Sequence, residues 1–324
     1  MPSVTRRDLL GSLTACAVGA QLGEASARAP GLQSSITHGS EIDIRRVGPS
    51  ARGYQTLQRH RGALIKDNVA YSFARHVPHP ATYEGFEVGR PHLLIEGISF
   101  IGSLDIYTSL PIVFMGSSVR VKAASHWAIH TRPGAGPFYF LWSDAGALTT
   151  AGAPTDKSHA VGLALQLRSD DAVVYRSHIS KATDGIHPNG SRHRIIENLI
   201  EELTYFTGDH NDGIQIEARG PDITILRNKI LNANPQTSCL LLQGNKISVH
   251  DNYLAGGGWV IYAGAHKSGS SVPAASNLSI RGNIFGRDFL PKGGHFGPVA
   301  YWDGRPGNDW FNNKFADGQV VYVR

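Results

Sequence analysis

From about residue 90 onward, apolar and polar residues alternate in short runs that close in the same way. Arg194-Ile195-Ile196-Glu197-Asn198-Leu199-Ile200 aligns with Thr224-Ile225-Leu226-Arg227-Asn228-Lys229-Ile230. Ser248-Val249-His250-Asp251-Asn252-Tyr253-Leu254, Ser279-Ile280-Arg281-Gly282-Asn283-Ile284-Phe285 and Asp309-Trp310-Phe311-Asn312-Asn313-Lys314-Phe315 follow the same plan. Each has an apolar position, two variable residues, an asparagine, one variable residue and a further apolar residue. The asparagines are 30, 24, 31 and 30 residues apart. Two degenerate copies precede them, Val173-Val174-Tyr175-Arg176-Ser177-His178-Ile179 and Leu94-Ile95-Glu96-Gly97-Ile98-Ser99-Phe100. Strand-like alternation repeated at this period predicts a solenoid with one turn of chain per repeat.

A leucine-rich repeat would show its own Leu and Asn spacing and a helical half. Here Gly, Asn and β-branched residues fill the connections. A recurring asparagine suits a turn, where its side chain bonds backbone groups and its own backbone tolerates left-handed φ. Stacked turns would let successive amides bond one another as a ladder.

The pattern resembles the right-handed parallel β-helix of pectate lyases and polygalacturonases. That resemblance implies an all-β fold, a single solenoid of about 7–9 turns over residues 91–324. Residues 28–90 are expected to be a linker and N-terminal cap, and Thr131 to Lys157, rich in Gly, Ala and Pro, a long loop or widened turn.

Residues 1–27 read as an export signal. Thr5-Arg6-Arg7-Asp8-Leu9-Leu10 resembles the twin-arginine type, and a short apolar run leads to Ala25-Ser26-Ala27. The run is too short to span a bilayer. Leu13-Thr14-Ala15-Cys16 offers a lipoprotein site as the alternative. Cleavage after Ala27 leaves Cys239 as the lone cysteine, so the fold must stand without an intrachain disulfide. The expected location is the periplasm or the exterior.

Hydrophobic residues at 41% exclude a disordered chain, and charged residues at 18% argue against helical bundles and coiled coils. The formal charge of +5 and pI near 9.2 suit an acidic partner.

Two successive turns open alike, with Thr183-Asp184-Gly185-Ile186-His187-Pro188 and Asn211-Asp212-Gly213-Ile214-Gln215-Ile216. If Ile186 and Ile214 point inward, Asp184 stacks on Asp212 and His187 on Gln215 at the strand spacing of about 4.8 Å. The next turn brings Ser238-Cys239-Leu240-Leu241 into that place, so the acidic column has two members. Mutual repulsion would raise one carboxyl's pKa and create an acid/base pair. Alternatively, Asp184 and Asp212 hold calcium, or each simply accepts backbone N–H groups at a turn. His210 lies beside Asp212 in Thr207-Gly208-Asp209-His210-Asn211. Trp259 and Tyr262 could form a stacking floor for sugar rings, with His266, Lys267 and Arg287 adding positive charge along the same edge. Gly256-Gly257-Gly258 lacks the strand-to-helix setting of a phosphate loop.

Polygalacturonases carry an N-T-D turn, a D-D pair one turn later, and G-H-G and R-I-K segments. Asp184 matches the first and Asp212 one acid of the pair; the last two segments are absent, as are the D-H and R-x-P-x-x-R segments of pectate lyases. The chain more closely resembles secreted bacterial β-helix proteins with an H-N-D-G-I-Q turn.

Three functions are compatible with this reading. The first is a monomeric lyase acting on an acidic, uronate-containing polysaccharide, with calcium or His210 neutralising the carboxylate and His187, Lys267 or Tyr262 as base. The second is an endo-glycosidase using Asp184 and Asp212. The third is a non-catalytic carbohydrate-binding or adhesin-like solenoid. Gln215, Trp259, Tyr262, His266 and Arg287 are the substrate-binding candidates. Nucleic acid is not an expected partner.

Overall fold

The structure, a computed structural model, describes residues 35–149, 157–158, 160–206, 208–264 and 275–323; of residues 218–221 only the backbone is described. The export signal over residues 1–27, Cys16, His266 and Lys267 lie outside the described residues. The described chain is all-β apart from two 3-10 turns and the four-residue helix Gly48–Ala51. Apart from the antiparallel hairpin of Ala81–Tyr83 and Phe86–Val88, its strands join one long sheet, mostly parallel, in an arrangement of solenoid type.

Three stacks of strands are built from successive turns. In the first, Leu94, Val113, Tyr139, Val173, Arg194, Thr224, Ser248, Ser279 and Asp309 pair in register. The second stack carries Val119, Ala145, Ile179, Ile200, Ile230, Leu254, Phe285 and Phe315. The third carries Ile129, Leu165, Ile186, Ile214, Leu240 and Ile261. The residues named for the second and third stacks are buried and meet in one core, to which the first stack adds Ile95, Phe114, Phe140, Val174, Ile195 and Ile225. Each aliphatic side chain so buried contributes about 1.5–3 kcal/mol. Cys239 sits fully buried in it as a free thiol, so the core stands without a disulfide.

The asparagines form the expected ladder, buried at the corner between the first two stacks. Asn198 Nδ2 donates to Asn228 Oδ1 at 2.9 Å, Asn228 to Asn252 at 3.0 Å, Asn252 to Asn283 and Asn283 to Asn313 at 2.9 Å. The same oxygens accept the backbone N–H of the preceding rung. The asparagines do not themselves take the left-handed backbone. Glu197, Arg227, Asp251, Gly282 and Asn312 do, with φ between 52° and 66°. The corner is turned one residue early so that each amide can face inward, where a left-handed rung would swing it away.

The ladder continues as serines. The Asn198 oxygen accepts the N–H of Ser177, and the Ser177 and Ser143 hydroxyls accept those of Ser143 and Ser117. Two turns therefore lie where the repeat was not recognised, at Val113–Val119 and Tyr139–Ala145. The second falls inside the stretch expected to be a loop. Strands Phe138–Leu141 and Asp144–Ala147 occupy it instead, because Phe138, Phe140 and Ala145 supply the core positions between flanking glycines.

The sheet also begins earlier than residue 91, since Gln58–Ile65 pairs in parallel with Ile98–Ile106. Upstream, residues 35–54 run along the ladder corner in reverse order. His38 Nε2 lies 3.1 Å from the Gly282 carbonyl, the Gly39 N–H donates to Asp251, and the Gly48 N–H donates to Arg176. Ile36, Ile42 and Val47 pack with Leu199. The Tyr54 ring then lies over Gly116, where a Cβ would sit 2.0 Å from it and where φ is +56°. Among the described residues no helix is long and apolar enough to cross a membrane.

Candidate active site

The third stack carries the candidate residues. Ile186 pairs with Ile214 as the hydrophobic pattern requires, which brings Asp184 onto Asp212 and His187 onto Gln215. Asp212 in turn pairs with Ser238, and Leu163 and Gln166 precede Asp184 and His187. The glycine after each aspartate has a packing reason. A Cβ on Gly185 would lie 2.4 Å from the Gly213 carbonyl and 2.8 Å from the Ile200 side chain. The Asp-Gly repeat is thus a place where neighbouring stacks approach too closely for any other residue.

An open cleft of about 550 Å³ lies on the outer face here. Asp184, His187, His210 and Gln215 line it together with His126, Trp127, Gln166, Thr183 and Asp209. Asp212 lies beneath, fully buried, bonded to the Ser238 hydroxyl through Oδ1. Its Oδ2 is without a hydrogen-bond partner among the described residues. The two aspartates are therefore not an exposed pair. Asp184 is the cleft acid and Asp212 its buried support.

Burial, then the neighbouring charge of Asp212, push the Asp184 carboxyl up to about 8, against the hydrogen bond from the Asp212 N–H. Burial likewise raises Asp212, to about 6, opposed by Ser238 and His210. His187 is shifted the other way. Burial holds it below the ordinary imidazole value, opposed by Glu217, whose Oε2 is 3.9 Å from Nε2. Neither ring nitrogen of His187 has a hydrogen-bond partner among the described residues. At neutral pH the cleft therefore holds a protonated carboxyl and a neutral imidazole three residues apart on one strand. It also holds Asp209, ion-paired with Lys157 at 2.7 Å.

Trp259 and Tyr262 lie farther along the same two columns, beyond Ser238 and Leu241, and outside the cleft lining. Arg287 is not on this edge. It follows a strand of the second stack, bonds Asp317 and Gln319, and lies 3.8 Å over the Phe315 ring. For calcium, the described residues offer no cluster of three or more His, Cys, Asp or Glu. Of the two proposed ligands only Asp184 reaches the cleft. Trp127, Gln166 and Asp209 were missed as site residues. The offset linking Ile129, Leu165 and Ile186 is the signal that places the first two beside Asp184 and His187.

No family model, curated protein or solved structure matches this chain.

Proposed function

We propose that this chain is an exported right-handed parallel β-helix enzyme that cleaves a uronate-containing polysaccharide by β-elimination. One observation carries the reading: Asp184, raised to about 8, shares an open cleft with the unpartnered imidazole of His187. This combination suits elimination. A hydrogen-bond donor must stabilise the uronate carboxylate as charge builds on it, and a neutral base must take the proton from the adjoining carbon. Asp184 supplies the donor, as a carboxylic acid kept neutral by its surroundings. His187 removes the proton, and the electron pair left behind forms a carbon–carbon double bond as the neighbouring bond to the glycosidic oxygen breaks. The imidazolium then returns its proton to that oxygen. Glu217, 3.9 Å from the His187 Nε2, stabilises the charged form of the ring. The basic balance of the chain favours approach of an acidic polymer.

A second reading has one observation in its favour. Asp209 places an additional carboxylate in the cleft, so a hydrolase could use Asp184 as acid and Asp209 to activate water.

The test incubates the chain without residues 1–27 with acidic and neutral polysaccharides, with and without chelator. Product is read as reducing ends and as the ultraviolet absorbance of unsaturated uronate. Elimination yields both signals together from an acidic polymer. Reducing ends alone replace the lyase with the hydrolase. Loss of product with chelator assigns the neutralising role to calcium, and no product from any polymer refutes the enzymatic reading.

A further inference from the structure

The two columns that flank the cleft continue beyond it and end in aromatic rings. The column of Asp184 and Asp212 runs through Ser238 to Trp259 and Gly297; that of His187 and Gln215 runs through Leu241 to Tyr262 and Ala300. At both places the next turn adds a second ring. Phe296, just before strand Gly297–Ala300, lies 6.0 Å from Trp259. Tyr301, just after it, stacks on Tyr262 at 5.6 Å with the planes 23° apart. Phe296 is 58% exposed and Tyr301 52% exposed. Gly297 leaves room for the Trp259 ring, which a Cβ there would meet at 2.8 Å. Tyr301 presents its ring from a left-handed backbone, φ 56°, a conformation unfavourable for a bulky residue.

We infer that these ring pairs form a distal glycan-binding subsite, whose occupant is the same polysaccharide chain that enters the cleft. The inference rests on the polysaccharide reading above. Its geometry is specific to a linear polymer. The pairs stand at the two ends of one strand, about 10 Å apart, in the same two columns as Asp184 and His187. Between Asp184 and Trp259 lie three strand spacings, roughly 14 Å. A polymer lying along the stack reaches both places, whereas the shortest oligosaccharide reaches one. Aromatic faces suit the apolar C–H faces of sugar rings and keep a polar rim in water. The subsite thus supplies binding energy remote from the reacting bond, available only to long substrates.

The test separates binding from turnover. His187→Ala protein, which lacks the base, is titrated with the acidic polysaccharides above, alone and with Phe296→Ala, Tyr301→Ala or Tyr301→Phe added. The two alanine variants remove exposed rings, and circular dichroism with thermal melting confirms that they fold. The subsite predicts about ten-fold weaker polymer binding on loss of either ring, retention with Tyr301→Phe, and no change for the shortest oligosaccharide bound. Ring-independent polymer binding overturns the subsite and leaves the lyase reading intact. Ring-dependent binding by a protein whose parent yields no product upholds the subsite and overturns the lyase. Absence of binding to every polysaccharide overturns both.

Discussion

The Asp184 carboxylate oxygen accepts the backbone N–H of Asp212 at 2.7 Å. One side chain thereby serves as cleft acid and ties together two successive turns. Asparagine at 184 keeps an acceptor oxygen for that N–H and, in its amide N–H groups, a neutral hydrogen-bond donor that cannot ionise. Asp184→Asn is expected to fold with a melting temperature close to the parent and to keep part of its product formation, without the alkaline loss that ionisation of Asp184 brings. Asp184→Ala removes the donor and with it product formation, and leaves the Asp212 N–H unpaired, at a cost of about 1–3 kcal/mol. A melt and a turnover assay on both variants check the separation of roles.

The pH dependence follows from the same group. Its folded value near 8 stands above the ordinary 3.8, so the folded chain holds a proton that the unfolded chain releases. Its stabilising contribution is full below 3.8 and is lost progressively as pH rises to about 8. Asp184→Asn should flatten that part of the stability–pH curve. Activity should fall on the alkaline side as Asp184 ionises near 8, and on the acid side as His187 protonates.

Glu217 stabilises the charged form of His187. Glu217→Gln removes that influence, so the acid limb of the rate profile should move to lower pH, and the alkaline limb by less, because Glu217 is the smallest of the charges that raise Asp184. A larger shift of the alkaline limb than of the acid limb would assign Glu217 chiefly to Asp184.

The ladder gives a prediction independent of function. Asn228 accepts two hydrogen bonds from Asn198 and donates to Asn252 and the Ile195 carbonyl. Alanine there leaves several buried groups unpaired, at about 1–3 kcal/mol for each. Serine keeps a hydroxyl acceptor, as Ser143 and Ser177 do on earlier rungs. Denaturant titration should rank the parent above Asn228→Ser and Asn228→Ser above Asn228→Ala.

Gly185→Ala forces a methyl against the Gly213 carbonyl and Ile200, and overpacking of this kind costs about 1–3 kcal/mol. Gly89→Ala, where the nearest atom is 4.0 Å away, is the control and should be neutral. Equal melting temperatures for both would remove the packing explanation of the Asp-Gly repeat.

The asparagine rungs were legible because Asn is distinctive and its flanking apolar positions serve one core. The rungs at Ser117 and Ser143 were not. A serine hydroxyl can take over the acceptor role while leaving no compositional mark. The stacking of Asp184 on Asp212 was legible because both strands share Asp-Gly-Ile, which sets the offset. Trp127 and Gln166 share no motif with the turn that follows them, so their column rests on the fainter offset of the core positions Ile129, Leu165 and Ile186. Arg287 was misplaced because adjacency in sequence does not say to which of three stacks a strand belongs. Burial of Asp212 goes with its bond to Ser238, a residue that gives no sign of coverage in the sequence.

The segment from His38 to Tyr54 touches the corner residues in descending order, from Gly282 to Gly97. The His38 contact spans 244 positions of sequence. During synthesis the Tyr54 end of this segment can dock once the coils of Gly97 and Gly116 are wound, whereas the His38 end must wait, unsatisfied, for the coil of Gly282. The portion of the molecule made first is fastened last, so the state of this clasp reports whether the whole coil has been completed.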